Sequence, residues 1–353
     1  MPRRSSQMTR LAHKAGLVLV SPDALVWSRR KAGTGFSYRD ETGAPIRDAG
    51  IVARLAAQAV PPAYRDVRYA PDPRAHLQAI GRDAAGRLQY RYHPDWEKVR
   101  EVLKARRLAK LADALPTLRR ALGRALAEAD ADQDPTKDFA LAAVIELVAL
   151  TAIRAGGEAY ARARGTRGAT TLLKSNVARD GDKVVIRFKA KGGQKVEKEV
   201  CVERFAAAVG RLQRLPGRRL FQYRDAEGTV RPVRAPDVNQ ALKAMSGAPI
   251  SLKDFRTLIA SASVLETLAR AAPAGSARAR RSQVLEAVRD AAEALANTPT
   301  VCRKSYVHGT IVTAFEDGVL ERFSATLKGC RSPARRAEVL AQIVATSRLE
   351  AAE

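Results

Sequence analysis

The chain has 353 residues, 46% of them apolar, which is enough for more than one compact core. Its 62 Lys and Arg outweigh 37 Asp and Glu, giving a formal net charge of +25. The leading partner is therefore a polyanion, and nucleic acid ranks ahead of a membrane surface because the basic residues spread along the whole chain instead of gathering in one amphipathic segment. Three cysteines far apart and four histidines support neither a disulfide framework nor a zinc site.

The opening "MPRRSSQMTRLAHKAGLVLVSP" is basic, but its apolar core, Ala15 to Val20, is shorter than a secretory signal needs, so an intracellular protein is expected. Up to about residue 100 the chain is turn-rich. "SPDA", "KAGTG", "DETGAP" and "RDAAG" separate brief runs such as "ALVWSR", "HLQAIG" and "RLQYRYH", the pattern of a small β-rich domain. From Glu101 the leucines at 108, 111, 115, 118, 122 and 126 recur at three- and four-residue steps, the stripe of an amphipathic helix that Pro116 divides or kinks. These features predict an α+β protein with domains at 1–100 and 101–353, the second mainly helical.

"FALAAVIELVALTAI" is too short to span a bilayer and carries Glu146, so it predicts a buried helix over 136–153, ended at "IRAGGE" by the glycine pair. Arg154 stands at the mouth of that core, where a cation at a helix C-terminus is the ordinary reading. In "KVVIRFKAKGGQKVEKEVCV", Val184, Ile186, Phe188 and Ala190 share one strand face, and Arg187, Lys189 and Lys191 the other. Lys191 then rides at the tip of a hairpin over 183–202, either as part of a solvated charged face or as an ammonium delivered to a phosphate. In "SLKDFRTLIASASVLETL", Ser251 and Asp254 form a capping box, with Phe255, Leu258, Ile259, Ala262 and Leu265 as the buried face. Lys253 and Arg256 fall in the first turn, where cations oppose the helix dipole and call for a compensating negative group, either Asp254 or a bound phosphate. A helix patterned by Val284, Leu285, Val288, Ala292 and Leu295 ends at Asn297, and Thr298-Pro299 turns the chain out of it. Asn297 read alone is a cap, and Tyr306 read alone is a half-buried aromatic with its hydroxyl at the surface.

Taken in order, Arg154, Lys191, "KDFR" ending at Arg256, Asn297 and Tyr306 resemble the catalytic set of the type IB DNA topoisomerases, in the compact poxvirus-like and bacterial branch with a tyrosine recombinase-like catalytic domain. The resemblance covers roughly residues 20 to 330, and the "KDFR" and tyrosine segments are its most specific parts. It departs at one position, since the family's usual histidine is Asn297 here; an amide can donate a hydrogen bond but carries neither proton nor charge. "GRDAAGRLQYRYH" and "RAGGEAY" resemble family segments that contact DNA, which implies binding roles for Arg87, Tyr90, Tyr92 and Tyr160, alongside Lys253.

The resemblance implies ATP-independent relaxation of positive and negative supercoils through a 3′-phosphotyrosyl link on Tyr306, with Lys191 as the acid for the leaving oxygen. It further implies a C-shaped clamp on double-stranded DNA, a monomer, no cofactor or metal, no membrane and no small-molecule substrate, in a cytoplasmic, nucleoid-associated protein. Two alternatives stay open at this point: a tyrosine site-specific recombinase, which usually carries His-x-x-Arg in place of "KDFR", and a non-enzymatic basic DNA-binding protein.

Overall fold

The structure is a computed structural model that describes residues 2–127, 133–328 and 339–340. The chain divides into two compact units, Met1–Lys104 and Ala105–Glu353. The sequence also suggests a last amphipathic helix that starts at Ser332-Pro333 and runs through Val339, Leu340 and Ile343; its start, Ile343 and Cys330 lie outside the described residues, while Val339 and Leu340 are buried in the core of the second unit.

In chain order the first unit holds α1 (Pro2–Lys14), β1 (Trp27–Ala32), β2 (Gly35–Arg39), α2 (Ala49–Ala57), β3 (Arg65–Tyr69), β4 (Leu77–Arg82) and β5 (Leu88–Tyr92). The strands form one antiparallel sheet in the order β2-β1-β3-β4-β5; of the expected turn segments "SPDA" precedes β1 and the others connect successive strands. Tyr38, Leu55, Val67 and Tyr69 pack α2 against this sheet. Trp96 and Val99 pack with Ala12 and Leu17, which gives the basic N-terminal segment a helical form that its sparse apolar residues did not predict.

α3 (Trp96–Ala127) runs 32 residues with Pro116 inside it, so the proline does not divide the helix. An interior proline costs about 3 kcal/mol. All six leucines of the stripe are buried, at about 1.5–3 kcal/mol each, so burial outweighs the defect. The second unit continues with α4 (Lys137–Thr151), α5 (Glu158–Arg164), β6 (Val177–Asp180), β7 (Lys183–Lys189), β8 (Lys195–Cys201), α6 (Glu203–Arg214), β9 (Gln222–Arg224), β10 (Val230–Pro232), α7 (Ala235–Ser246), α8 (Leu252–Ala269), α9 (Ala277–Ala294), α10 (Pro299–Ser305), α11 (Gly309–Glu316) and α12 (Glu321–Lys328). The predicted hairpin is β7–β8, but β6 adds a third strand, and a second short hairpin, β9–β10, interrupts the region expected to be helical. Runs of three or four residues carry too little periodicity to be read from sequence.

α4 is buried on nearly every face, as predicted. Its Glu146, 2% exposed, is held by Arg204, whose Nη2 donates at 2.5 Å and Nε at 3.0 Å. α9 buries Val284, Ala287, Val288, Ala291 and Ala292, whereas Leu285, expected on the buried face, is exposed.

Candidate active site

Two helix ends build the site, and both turn on an alanine in the left-handed region. α4 ends at Ala152 (φ 54°) and not at the glycine pair. α9 ends in a Schellman motif: Asn297 N–H donates to the Ala292 carbonyl (2.8 Å), Ala296 N–H to Glu293 (2.9 Å), and Ala296 has φ 47°. A left-handed alanine costs about 1–2 kcal/mol, so the surroundings must hold it. They do so with arginines. The Ala152 carbonyl accepts from Arg256 Nη1, and the Ala296 carbonyl accepts from Arg154 Nη1 at 3.2 Å.

The glycines after Arg154 have another task. A Cβ on Gly168 would lie 2.5 Å from the Arg154 carbonyl and 2.6 Å from Gly156 Cα, so the two backbone segments touch where only glycine fits. Ala169 N–H then donates to the Arg154 carbonyl (2.8 Å), which anchors the residue between α4 and α5.

α8 opens with the predicted capping box, the Asp254 carboxylate accepting from the Ser251 N–H (2.8 Å) and hydroxyl (2.9 Å). It is buried on a broader face than predicted, because Arg256 and Ser261 are buried too, while Ile259 and Ala262 are only half-buried beside an open cleft. Arg256 is 4% exposed; its Nη2 donates to the Leu295 carbonyl at 3.0 Å, and its Nε is buried without a hydrogen-bond partner.

Thr298 caps α10 by accepting from the Val301 N–H (3.3 Å), and Pro299 stands in its first turn. These two short turns separate Asn297, at the end of α9, from Tyr306, at the end of α10. The Tyr306 backbone is tied at both ends: its N–H donates to the Cys302 carbonyl (2.9 Å), and its carbonyl accepts from the buried Ser261 hydroxyl (2.9 Å).

The side chains then converge. Arg256 Cζ lies 4.8 Å, and Lys253 Nζ 6.0 Å, from the Tyr306 ring centroid. Burial pushes the phenol up, but Arg256, then Arg154 and Lys253, outweigh it and leave its pKa below the ordinary value. Arg303 and Lys304, which precede the tyrosine in the last turn of α10, are exposed. Burial, and then repulsion from Arg256, lowers the Arg154 pKa in turn. Asn297 Oδ1 accepts from Arg154 Nη2. A guanidinium only donates, so the amide orientation is fixed by chemistry and Nδ2 faces the other way, buried and without a partner.

Arg154, Arg256, Asn297, Tyr306 and Lys253 are thus brought together. Lys191 is not: it sits exposed at the β7–β8 turn, beside Gly192 and Gly193, both left-handed. Tyr160 is 54% exposed on α5. In the first unit Tyr90 and Tyr92 stack at 6.2 Å, Tyr92 stacks on Trp96 at 6.3 Å, and both tyrosines are nearly half exposed. Arg87 is held by Asp83 at 2.7 Å, and its bond is the first cause of an Asp83 pKa lowered to about 2.

Residues 93–330, about two thirds of the chain, match the family described as "Eukaryotic DNA topoisomerase I, catalytic core". Residues 35–83 match "Bacterial DNA topoisomerase IB, N-terminal domain". The chain belongs to the type IB DNA topoisomerases. Its bacterial and viral branch is supported further by a DNA topoisomerase 1B of Acanthamoeba polyphaga mimivirus, 28% identical over 288 residues, which cover 79% of this chain and 84% of that protein. An α+β chain of this family is a DNA-relaxing enzyme, and its macromolecular substrate is DNA.

One cation beside this cluster in the type IB topoisomerase went unpredicted. Lys198 lies on the core face of β8 between Val196 and Val200, and a small cavity of about 20 Å³ is lined by it together with Arg154, Arg167 and Arg256. The signal was present as a lysine interrupting the apolar face of "KVEKEVC", on the strand opposite the one whose polar face drew the reading.

Proposed function

We propose that the enzyme relaxes positive and negative supercoils without ATP, by transient cleavage of one strand of double-stranded DNA through a 3′-phosphotyrosyl link on Tyr306. The observation that carries this reading is the pairing of a phenol of lowered pKa with two buried, unpartnered donors, Arg256 Nε and Asn297 Nδ2. An unsatisfied buried donor costs about 1–3 kcal/mol, more when charged, and a phosphate oxygen would satisfy both.

In this mechanism the Tyr306 phenolate attacks the scissile phosphorus and the bond to the 5′-oxygen breaks. Arg154 and Arg256 stabilise the extra negative charge on the non-bridging oxygens, and Asn297 adds a neutral donor. Lys191, carried on a turn whose glycines tolerate rearrangement, protonates the leaving 5′-oxygen. Religation reverses these steps, and since the phosphotyrosyl ester keeps the bond energy no external energy source is consumed. Lys253, Tyr160, Arg87, Tyr90 and Tyr92 bind the duplex, the cations at phosphate and the tyrosines with exposed aromatic faces. The protein acts as a monomer with domains at 1–100 and 101–353, in the nucleoid. Among the described residues no helix is long and apolar enough to cross a membrane.

The test is denaturing-gel trapping of a covalent adduct on the 3′ end of cleaved duplex, run in EDTA without ATP. Unaltered protein should form the adduct and relax both signs of supercoil; Tyr306→Phe should do neither while still binding DNA. Relaxation by Tyr306→Phe would refute the assignment, and strand exchange between two cognate sites would favour the recombinase.

A further inference from the structure

Three consecutive carbonyls at the end of α9 each take a different cation. Lys198 Nζ donates to Ala294 (2.6 Å), Arg256 Nη2 to Leu295 (3.0 Å) and Arg154 Nη1 to Ala296 (3.2 Å). A helix C-terminus carries the negative end of the macrodipole, so this row of oxygens is a built-in counter-charge for three cations that would otherwise repel one another. Two of the three belong to the proposed phosphate site; the third has no role there.

The placement of Lys198 is costly enough to need a reason. It pairs with Ile186 across the β7–β8 ladder and shares the inward face of β8 with the buried Val196 and Val200. Burial, and then repulsion from Arg256, lowers its pKa. A leucine or methionine would fill the same face without desolvating an ammonium. What lysine adds is a charged hydrogen bond from the strand to the last residue of α9, three positions before Asn297.

We propose that Lys198 is a positioning residue of the cleavage reaction: by holding the Ala294 carbonyl it fixes the α9 terminus against β8, and so sets the placement of Asn297 and of the Arg154 and Arg256 guanidiniums. This rests on the reading of Tyr306 as the nucleophile. It also gives β8 a second task, since the strand that follows the Lys191 turn is the one that grips the helix end presenting Asn297.

The experiment compares Lys198→Met, which keeps length and apolarity but removes the donor, with Lys198→Arg, which restores one. Single-turnover cleavage of a duplex should fall roughly 10- to 100-fold in Lys198→Met, the span of one charged hydrogen bond, and should largely recover in Lys198→Arg. Non-covalent DNA affinity, measured in a Tyr306→Phe background, should not change. Amide hydrogen exchange at Leu295, Ala296 and Asn297 should quicken in Lys198→Met and return to that of the unaltered protein in Lys198→Arg. Unaltered cleavage in Lys198→Met, or slowed cleavage with unaltered exchange, overturns the positioning role while leaving the nucleophile assignment intact. Absence of an adduct with the unaltered protein overturns the Tyr306 reading, and with it any role of Lys198 in cleavage.

Discussion

The end of α9 and the tip of the β7–β8 hairpin are built in opposite ways. At the helix end, Arg154, Arg256 and Lys198 each hold a main-chain carbonyl, and Asn297 is held by Arg154. At the hairpin tip, Lys191 is exposed on a turn of two left-handed glycines. The difference teaches that, in the proposed mechanism, the charge-stabilising groups are already held in place by main-chain carbonyls, while the proposed proton donor stands on an exposed glycine turn. Fixed donors act without reorganisation during the reaction, whereas an acid must reach one particular leaving oxygen.

The comparison breaks most visibly at its two extremes. Lys191→Ala should slow cleavage by about 10²- to 10⁴-fold, the usual contribution of general acid catalysis, with no change in melting temperature because the side chain is exposed. Arg256→Ala should lower both quantities: two carbonyls lose charged donors, at about 1.5–3 kcal/mol each, and the phenol loses its strongest cation. Thermal unfolding beside single-turnover cleavage separates the two patterns; a destabilised Lys191→Ala would dissolve the contrast.

The pH dependence sharpens it further. Tyr306 must lose its proton to attack, and Arg256, Arg154 and Lys253 favour the phenolate, so the cleavage rate should rise with pH to an inflection below 10, the ordinary phenol value. Arg256→Lys removes the bidentate fork but keeps a charge, so it should shift that inflection less than Arg256→Ala, which should move it upward. A profile of Arg256→Ala superposable on that of the unaltered enzyme would show that the phenol is tuned elsewhere.

Asn297→His is a smaller step. A neutral imidazole can accept from Arg154 through one nitrogen and donate through the other, as the amide does, so cleavage should be retained. Complete inactivity would mean that the pocket is fitted to the amide. The smallest expected effect is at Ala296, where φ is 47°. Ala296→Gly should relieve about 1 kcal/mol of left-handed strain, partly offset by glycine's greater freedom in the unfolded chain, and so shift the melting temperature by only a few degrees with no loss of cleavage.

Much of this was legible without a structure. The leucine stripe of α3, the apolar run of α4, the alternation of β7 and the capping box of α8 are local patterns, set by side-chain period and by neighbours within four residues. The order of Arg154, Lys191, Arg256, Asn297 and Tyr306 was equally readable as a family resemblance, and the family comparisons agree with that reading of the chain. Other features were not readable because they depend on partners distant in sequence. The end of α4 was read from the glycine pair and that of α9 from Asn297 and Thr298-Pro299, and both lie a little earlier. The left-handed positions fell to Ala152 and Ala296, whose conformations are held by arginines 104 and 142 residues away. Lys198 drew no reading from the sequence, because its partner at the end of α9 lies 96 residues on. The orientation of Asn297, on which its proposed neutral-donor role rests, follows from its bond to Arg154, 143 residues away. Sequence determined the elements and the chemical types at the site, since periodicity and side-chain chemistry are local. Only the tertiary structure decided which carbonyl each cation holds, because that depends on long-range packing that no local pattern encodes.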